Sequence, residues 1–419
     1  MARTATDLTS LLDFIQEVRT SAGFQLERIK LDQQQDWAIK EGALSHKTGG
    51  FFHVIGVRHQ NSLSDKLYFY QPQSGITGLL VHATKDDVFL LTKARVEPGS
   101  ASVVQLSPTV QATPANFLRL HQGKATPYLV YVYSASNQVL GFNSTNHLDI
   151  GRLYYQKTKW LNYALVDELL PTEEQFIWVS LSTLCEAARE SYIVNTDLRS
   201  LLAAFDWDAL NGHANQSTEL PSVLMQFFLK SVVTGKVIDR FVPIDRSPDF
   251  LVHEYGVSEK SQAVAIDMYT VSTRHREVSE WVQPLWSAEK KGWVILYCRV
   301  VQGQQAFLLS VLEESGVAGK YTVGPSELIY PDESHSPNLP ANSREICTFY
   351  QSDECGRFIN HEYCFQVIEV PAEIPTQDHQ FWVSPLELKQ ILTMSNLANI
   401  QLRSICSALV KEINPFSNW

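Results

Sequence analysis

Short apolar runs rich in β-branched and aromatic residues recur along this chain, separated by polar segments that contain Gly, Pro or Asp. Runs of this kind predict β-strands. In the first half of the chain, the predicted strands cover 51–57, 78–82, 88–91, 128–133 and 161–166.

Helical segments precede and follow these strands. The stretch 8–18 predicts an opening helix, and Ser180 and Asn195 each stand at the start of a later one. Both residue types favour the N-cap position, where a side-chain oxygen accepts a hydrogen bond from the first turn. Strands followed by a helix pair, without strict alternation, favour an α+β fold over a doubly wound parallel sheet.

The chain also repeats itself. Several short runs of the first half return in the second half, in the same order and at nearly constant spacing. We therefore predict two modules related by internal duplication, 1–205 and 221–419, joined by a linker over 206–220. The matching runs are Leu26 to Ile29 with Ile238 to Phe241, Gly151-Arg152 with Gly356-Arg357, Trp178 to Ser180 with Trp382 to Ser384, and Leu198 to Ser200 with Leu402 to Ser404.

Composition narrows the class of protein. The 419 residues are 44% hydrophobic and 19% charged, which suits a globular protein of two or three domains. A net charge of −11 without a basic run argues against binding to nucleic acid or anionic membrane. No apolar stretch is long enough for a membrane helix, and the N-terminus lacks the pattern of a signal peptide. We therefore expect a cytoplasmic protein.

Several familiar catalytic and cofactor motifs are absent from the sequence. There is no GxGxxG after a strand, no GxxxxGK[ST] and no GxSxG. The 12 histidines include no HExxH, and the six cysteines form no CxxC pair. We therefore expect free thiols, no dedicated metal site and no dinucleotide cofactor.

One segment, 89–128, interleaves many uncharged polar residues with apolar ones, and prolines divide it into short extended pieces. Gln and Asn are less usual in strands than β-branched residues, so such a row suits hydrogen bonding to a polyhydroxylated ligand. An exposed strand face followed by a loop explains the same pattern. The polar residues are Lys93, Glu97, Gln105, Ser107, Thr109, Gln111, Asn116, Arg119 and His121.

This segment resembles the NDP-hexose 2,3-dehydratase family. The resemblance rests on Lys93-x-x-x-Glu97-Pro98-Gly99 and on the run QLSPTVQAT over 105–113. In the second half, the run REVSEWVQPL over 276–285 and Gly356-Arg357-Phe358 are similar to the same family. The likeness extends over nearly the whole chain.

The resemblance implies two tandem Nudix-like modules in a homodimer. Module 1–205 would hold the active pocket, and module 221–419 would carry a degenerate pocket with a structural or dimerising role. The implied substrate is a dTDP-linked 4-keto-6-deoxyhexose, which would lose water across carbons 2 and 3 without a cofactor. The product would be a 3,4-diketo-2,6-dideoxy sugar nucleotide of bacterial deoxysugar biosynthesis, passed on to a 3-ketoreductase.

The resemblance also implies roles for individual residues. Glu97 or His121 would exchange protons, and Lys93 would stabilise negative charge. The residues implied in binding sugar or pyrophosphate are Gln105, Ser107, Thr109, Gln111, Asn116, Arg119 and Arg152.

Two segments depart from the family pattern. Residues 144–159 lack the usual Ser-Glu-Gln-Gly run, and the second half has lost its copy of the Pro-Thr-Val-Gln run. Two alternatives to the dehydratase therefore stay open. One is a sugar-nucleotide-binding homologue without catalysis, and the other is a related lyase that acts on a variant sugar.

Overall fold

The structure is a computed structural model that describes residues 1–60, 62–120, 123–133, 136–211, 221–222, 224–226, 239–260, 265–333, 335–354 and 356–415. Within these residues the chain is a mixed α+β protein with four sheets and short helices. Most of the linker expected over 206–220 lies outside the described residues, as does His121.

The first half contributes fourteen of the described strands. They are β1 (Thr4–Ala5), β2 (Gln25–Arg28), β3 (Trp37–Lys40), β4 (Ala43–His46), β5 (His53–Arg58), β6 (Lys66–Tyr70), β7 (Gly75–Ala83), β8 (Val88–Val96), β9 (Val104–Pro108), β10 (Val110–Ala112), β11 (Val139–Leu148), β12 (Tyr154–Tyr155), β13 (Thr158–Val166) and β14 (Phe176–Ser180).

The second half contributes the remaining described strands. They are β15 (Arg240–Val242), β16 (Phe250–His253), β17 (Gly256–Glu259), β18 (Ala265–Ser272), β19 (Glu280–Ser287), β20 (Gly292–Val301), β21 (Gln304–Glu313), β22 (Tyr321–Gly324), β23 (Glu327–Ile329), β24 (Arg344–Ser352), β25 (Phe358–Ile359), β26 (Glu362–Glu369) and β27 (Gln380–Val383).

The described α-helices are mostly short. They are α1 (Leu8–Ser21), α2 (Pro114–Phe117), α3 (Leu129–Val132), α4 (Leu181–Ala187), α5 (Thr196–Ala203), α6 (Pro385–Thr393), α7 (Ile400–Cys406) and α8 (Val410–Ile413). Single 3₁₀ turns occur at Leu31–Gln33, Trp207–Asn211 and Ser407–Leu409.

Each half builds a large sheet with the same pairing scheme. In the first half, β14 pairs with β8, β8 with β7, and β7 runs parallel to β13. In the second half, β27 pairs with β21, β21 with β20, and β20 runs parallel to β26. Both schemes place an apolar core between the sheet and a pair of helices.

Each half also contains a six-stranded sheet, to which the other half contributes one strand. Strand β2 from the first half pairs with β18, and β15 from the second half pairs with β5. The donated strands overlap the repeated run that spans 26–29 in the first half and 238–241 in the second. The halves are therefore joined by backbone hydrogen bonds as well as by side-chain packing.

Two buried arginines hold the repeated helix pairs together. Arg199 on α5 donates to Ser407 Oγ at 3.0 Å, and Arg403 on α7 donates to the carbonyl of Leu148 at 2.6 Å. Arg403 also donates to Ser200 Oγ at 3.3 Å. Each guanidinium has several donors in a fixed fork, so one side chain can satisfy acceptors from both halves.

Most of the local predictions match the structure. Helix α1 covers the predicted 8–18, and the side chains of Ser180 and Asn195 cap α4 and α5 as expected. The predicted strand at 128–133 is wrong, because this segment forms helix α3. Tyr128 has a left-handed backbone (φ 57°), which ends the extended path and turns the chain into that helix.

We predict that Gly56→Ala destabilises the fold at the donated strand. A Cβ at position 56 would lie 2.5 Å from the Val242 carbonyl and from the Phe250 ring. Overpacking of this kind costs about 1–3 kcal/mol, which urea denaturation would measure as a lower midpoint. The matched control is Gly141→Ala, whose Cβ would meet only ordinary contacts at 3.7 Å or more. Equal midpoints for both variants would contradict the prediction.

Candidate functional site

A cavity of about 390 Å³ lies where the two halves meet. Its wall contains residues of β3, β4, β7 and 95–116 from the first half, together with Lys157, Lys159 and Asp197. The second half contributes residues of 276–283, Glu354, Gly356 and Arg357. The wall contains as many Asp and Glu side chains as Lys and Arg side chains. This cavity is therefore shared by the two halves, whereas the sequence analysis expected the active pocket in 1–205.

Glu97 lies on this wall at the end of β8. Alternate residues of a strand share one face, so β8 points Lys93, Arg95 and Glu97 to the same side. Arg95 Nε donates to Glu97 Oε1 at 2.6 Å, and Arg276 Nη1 donates to Oε2 at 3.2 Å. Glu97 is only 2% exposed, and each of its oxygens is therefore oriented by one guanidinium group.

Lys93 lies behind Glu97 and is not part of the cavity wall. Its Nζ is 4.0 Å from Glu277 Oε1 and lies 5.5 Å from the centre of the Phe176 ring. Burial lowers the pKa of Lys93 to about 8, although the charge of Glu277 opposes this change. Lys93 therefore acts on the cavity only through its neighbours.

Glu277 lies on the wall and links these cations. Its Oε2 is 3.4 Å from Arg276 Nε, and its Oε1 is 4.0 Å from Arg95 Nη1. Burial alone would raise the pKa of Glu277. The charges of Arg276, Arg95 and Lys93 outweigh burial and hold this pKa well below its usual range.

A second charged group lies on the same wall, around two lysines of the 157–159 segment. Lys159 Nζ lies 2.8 Å from Asp197 Oδ1, 3.2 Å from Asp149 Oδ2 and 3.6 Å from Glu354 Oε1. Lys157 Nζ lies 3.1 Å from Asp149 Oδ2 and 3.4 Å from Glu354 Oε2. Buried charges are tolerated in such a place because every one is paired.

The pKa values of Asp197 and Glu354, the two carboxyls of this group on the wall, are shifted in opposite directions. Burial raises the pKa of Asp197, and the charges of Glu354 and Asp149 add to the rise while Lys159 opposes it. For Glu354, burial also acts to raise the pKa. Lys157, Lys159 and Arg357 nevertheless hold it well below its usual range. Burial lowers the pKa of Lys157 against the pull of Asp149 and Glu354.

Of the residues expected to bind the ligand, Gln111 and Asn116 line the cavity. Gln111 Oε1 accepts from Asn195 Nδ2 at 3.1 Å. Asn116 Oδ1 accepts from Thr113 Oγ1 at 2.8 Å and completes the cap of α2. The amide nitrogens of both side chains are therefore the groups they offer to a ligand.

Three other expected ligand contacts lie inside the sheet, away from the cavity wall. Gln105 exchanges hydrogen bonds with Gln351, at 3.1 and 3.3 Å. Ser107 Oγ donates to the Lys93 carbonyl at 3.2 Å, and Thr109 Oγ1 accepts from the Leu80 amide at 3.0 Å. Ser107 and Thr109 therefore join neighbouring strands of one sheet, whereas Gln105 joins β9 to β24 of the second half.

The two expected arginines also lie off the cavity wall. Arg119 is exposed and donates to the Gly123 carbonyl at 3.2 Å. Arg152 pairs with Glu333 at 3.1 Å and with Asp332, and it lies 4.2 Å from the centre of the Tyr330 ring. The cavity beside Arg152 has a volume of only about 20 Å³.

Arg152 and its counterpart Arg357 occupy equivalent places in the two halves. The Gly151 amide donates to Glu314 Oε2 at 3.1 Å, whereas a Cβ on Gly356 would lie 3.4 Å from Glu97 Oε2. The loop of each half thus contacts a glutamate of the other. Only the site that contains Arg357 is open as a large cavity, because Arg152 and its acidic partners fill the other.

Sequence reasoning did not assign roles to several wall residues from the second half. A signal for them was present, because the runs 276–285 and 356–358 carried the family resemblance. Their distance along the chain from Glu97 concealed that they share its cavity. The missed wall residues are Arg276, Glu277, Trp281, Gln283, Glu354 and Arg357.

The described residues lack both a metal-binding cluster and a membrane-spanning helix. They contain no group of three or more His, Cys, Asp or Glu side chains that could hold a metal ion. None of the helices in the described part of the chain is both long and apolar enough to cross a membrane.

Comparison with known proteins gives one consistent result. A family model described as NDP-hexose 2,3-dehydratase matches residues 8–205 and 224–409. A dTDP-4-dehydro-6-deoxy-alpha-D-glucopyranose 2,3-dehydratase of Streptomyces violaceoruber is 25% identical, with 92% of this chain and 93% of that protein covered. Proteins of the same name from Saccharopolyspora spinosa and Amycolatopsis orientalis are each 24% identical, over 92% and 94% of this chain and 88% of each relative.

We predict that Glu277→Gln lowers stability at neutral pH and that the deficit shrinks in acid. The folded pKa of Glu277 lies below its unfolded value, so the ionised form stabilises the fold above about pH 4.3. That contribution is lost as the pH falls towards the folded pKa, by up to about 1.4 kcal/mol per pH unit.

Urea denaturation of both proteins at pH 7, 4 and 3 would measure this difference. Glu280→Gln, at an exposed position, is the matched control for the loss of one negative charge. A deficit of Glu277→Gln that stayed constant over this pH range would show that the carboxylate is not held by the three cations.

Proposed function

This chain belongs to the NDP-hexose 2,3-dehydratase family, and we propose that it removes water from carbons 2 and 3 of a dTDP-linked 4-keto-6-deoxyhexose. The product would be a 3,4-diketo-2,6-dideoxy sugar nucleotide for deoxysugar biosynthesis. Glu97 carries this proposal, because it is a buried carboxylate on the wall of a cavity that can hold a sugar.

The reaction requires a base, an acid and a group that stabilises the negative charge of an enolate. The ketone at carbon 4 acidifies the proton on carbon 3, and a base removes that proton to give an enolate. The hydroxyl on carbon 2 then leaves with the help of an acid, and the resulting enol tautomerises to a ketone at carbon 3. A cationic group or hydrogen-bond donor stabilises the enolate oxygen in the meantime. The sugar carbons undergo no net oxidation, so the equation balances without a redox cofactor.

Glu97 is the proposed base. Its two oxygens accept from the neighbouring guanidinium groups of Arg95 and Arg276, at 2.6 and 3.2 Å. These contacts fix its direction, and a fixed geometry lowers the cost of reaching the transition state. His121, the alternative base, lies outside the described residues.

The negative charge of the enolate is proposed to face Lys157 and Arg357. Both line the cavity, and both are anchored by other groups. Lys157 lies 3.8 Å from the centre of the Tyr154 ring, and Arg357 Nη2 donates to Gln71 Oε1 at 2.5 Å. This proposal replaces Lys93 as the direct contact, since Lys93 lies behind the wall.

The nucleotide is proposed to lie against the aromatic part of the wall. Trp37, Phe51 and Trp281 line the cavity and offer rings on which a base can stack. Gln283, with the amide nitrogens of Gln111 and Asn116, offers polar contacts to the sugar or the diphosphate. The Gln283 amide is held in place because it donates to the Gly356 carbonyl at 2.7 Å.

We also propose the finer features that the family implies. These are two Nudix-like modules over 1–205 and 221–419, a homodimer, a cytoplasmic location and consumption of the product by a 3-ketoreductase. The shared pairing scheme of the two large sheets supports a duplication. It does not by itself decide what the duplicated fold does.

Incubation with dTDP-4-keto-6-deoxyglucose and a 3-ketoreductase tests the proposed function. Mass analysis should detect a product that has lost one water and, once the 3-ketoreductase has acted with its hydride donor, gained two hydrogens. Binding of the nucleotide without loss of water would favour the non-catalytic homologue instead. Loss of water from an epimer alone would favour a lyase for a variant sugar.

We predict that Glu97→Gln lowers the dehydration rate by about 10²–10⁴-fold while a dTDP-sugar still binds. The amide keeps the size of the side chain but cannot accept the carbon 3 proton. Turnover and calorimetric binding should be compared with Glu186→Gln, a matched change on the exposed side of α4. Turnover of Glu97→Gln within about tenfold of the parent would exclude Glu97 as the base.

A further inference from the structure

Asp197 has one carboxylate oxygen that the protein does not use. Its Oδ1 accepts a hydrogen bond from Lys159 Nζ at 2.8 Å. Its Oδ2 is buried and has no hydrogen-bond partner among the described residues. Asp197 is only 3% exposed, and it is one of the residues that line the cavity.

A buried oxygen without a partner is costly, and native proteins usually avoid it. Asn195, two residues earlier, meets the usual need of a helix start, because its own side chain accepts from the Leu198 amide at 2.9 Å. Asp197 is therefore not needed as the cap of α5. A ligand hydroxyl in the cavity would give Oδ2 the partner it lacks.

We propose that Asp197 is the general acid that protonates the hydroxyl of carbon 2 as it leaves. This rests on the proposed function, and it names a catalytic residue which the family resemblance did not indicate. Because Glu97 and Asp197 belong to the two separate charged groups of the wall, the base and the acid would act from different elements of the fold.

The step balances in atoms and electrons. Glu97 takes the proton from carbon 3, and the electron pair of that bond passes through the enolate into a double bond between carbons 2 and 3. The bond between carbon 2 and its oxygen breaks, and the Oδ2 proton joins that oxygen to form water. In the tautomerisation that follows, the enol loses one proton and carbon 2 gains one. Exchange with solvent returns Asp197 and Glu97 to their starting forms.

The surroundings of Asp197 suit an acid. Burial raises its pKa, as described above, so its proton is retained to a higher pH than that of an exposed aspartate. The charges of Lys157, Lys159 and Arg357 hold the pKa of Glu354 well below its usual range, so Glu354 is not suited to donate a proton. The charged groups that act on Asp197 come from several elements. They are Lys159 on β13, Arg95 on β8, Arg403 on α7, and Asp149 and Glu354, which lie two residues before Gly151 and Gly356.

A substrate whose leaving group needs no proton separates an acid from a structural residue. The probe is the dTDP-4-keto-6-deoxyglucose analogue with fluorine in place of the carbon 2 hydroxyl, which expels fluoride. With Asp197→Asn we expect release of water to fall by about 10²–10⁴-fold and release of fluoride to stay within about tenfold of the parent. Glu97→Gln should lose both activities, because both substrates require removal of the carbon 3 proton.

Equal loss of both activities in Asp197→Asn would overturn the proposal. Thermal unfolding and calorimetric binding of dTDP would show whether that variant is intact. The parent enzyme gives a second test that needs no variant. Its rate with the hydroxyl substrate should fall at high pH as the acid loses its proton, while the rate with the fluoro analogue should not. Identical alkaline limbs for the two substrates would also overturn the assignment.

The two proposals fail in different ways. A parent enzyme that released neither water nor fluoride would refute the proposed function itself. A parent that released both, with an Asp197→Asn variant that lost both equally, would refute only the role of Asp197.

Discussion

The cavity depends on one contact between the two halves, where Gly356 lies against Glu97 at the end of β8. A Cβ on Gly356 would be in ordinary van der Waals contact with Glu97 Oε2, at 3.4 Å, so the backbone of the second half runs beside this carboxylate. Arg276, from another loop of the second half, then reaches the same carboxylate at 3.2 Å. Neither half could build this wall alone, so the donated strands β2 and β15 serve the site as well as the fold.

Charge inside the wall is balanced by pairing. Each buried carboxylate of the wall has a lysine or arginine within about 4 Å, the distance at which charge pairs interact strongly in a low dielectric. Buried pairs add little net stability, since removing the charges from water costs about as much as their attraction returns. Their contribution here is to hold donors and acceptors in fixed directions around a ligand, which is what an elimination reaction needs.

How well the sequence predicted the structure depended on how local each feature is. Strand composition and the caps at Ser180 and Asn195 are decided by neighbouring residues, and both matched. The segment 128–133 is rich in strand-forming residues as well, yet it folds as α3. No composition rule detects the left-handed backbone of Tyr128, which depends on packing against distant residues.

The site was predicted less completely because its residues come from both halves. Glu97, Gln111 and Asn116 reach the wall as expected, whereas Gln105 bonds to Gln351 of the second half and Thr109 to the neighbouring strand β7. A run of alternating polar residues cannot show which face meets a ligand, since both faces of a central strand are buried. The repeat did indicate these residues, because it matched Gly151-Arg152 with Gly356-Arg357. These are the places where each half contacts a glutamate of the other.

The asymmetry between the two equivalent sites follows from a few side chains. In the second half, Glu314 is hydrogen-bonded to Asn399 at 2.9 Å and to the Gly151 amide, so its carboxyl is satisfied within the protein. Arg152 is likewise satisfied by Asp332 and Glu333. In the first half, Glu97 is the glutamate that meets the loop of the other half, and it lies on the wall of the open cavity. Of these two sites, the one beside the paired Arg152 has a small cavity, and the one that contains Arg357 has the large cavity in which the reaction is proposed to occur.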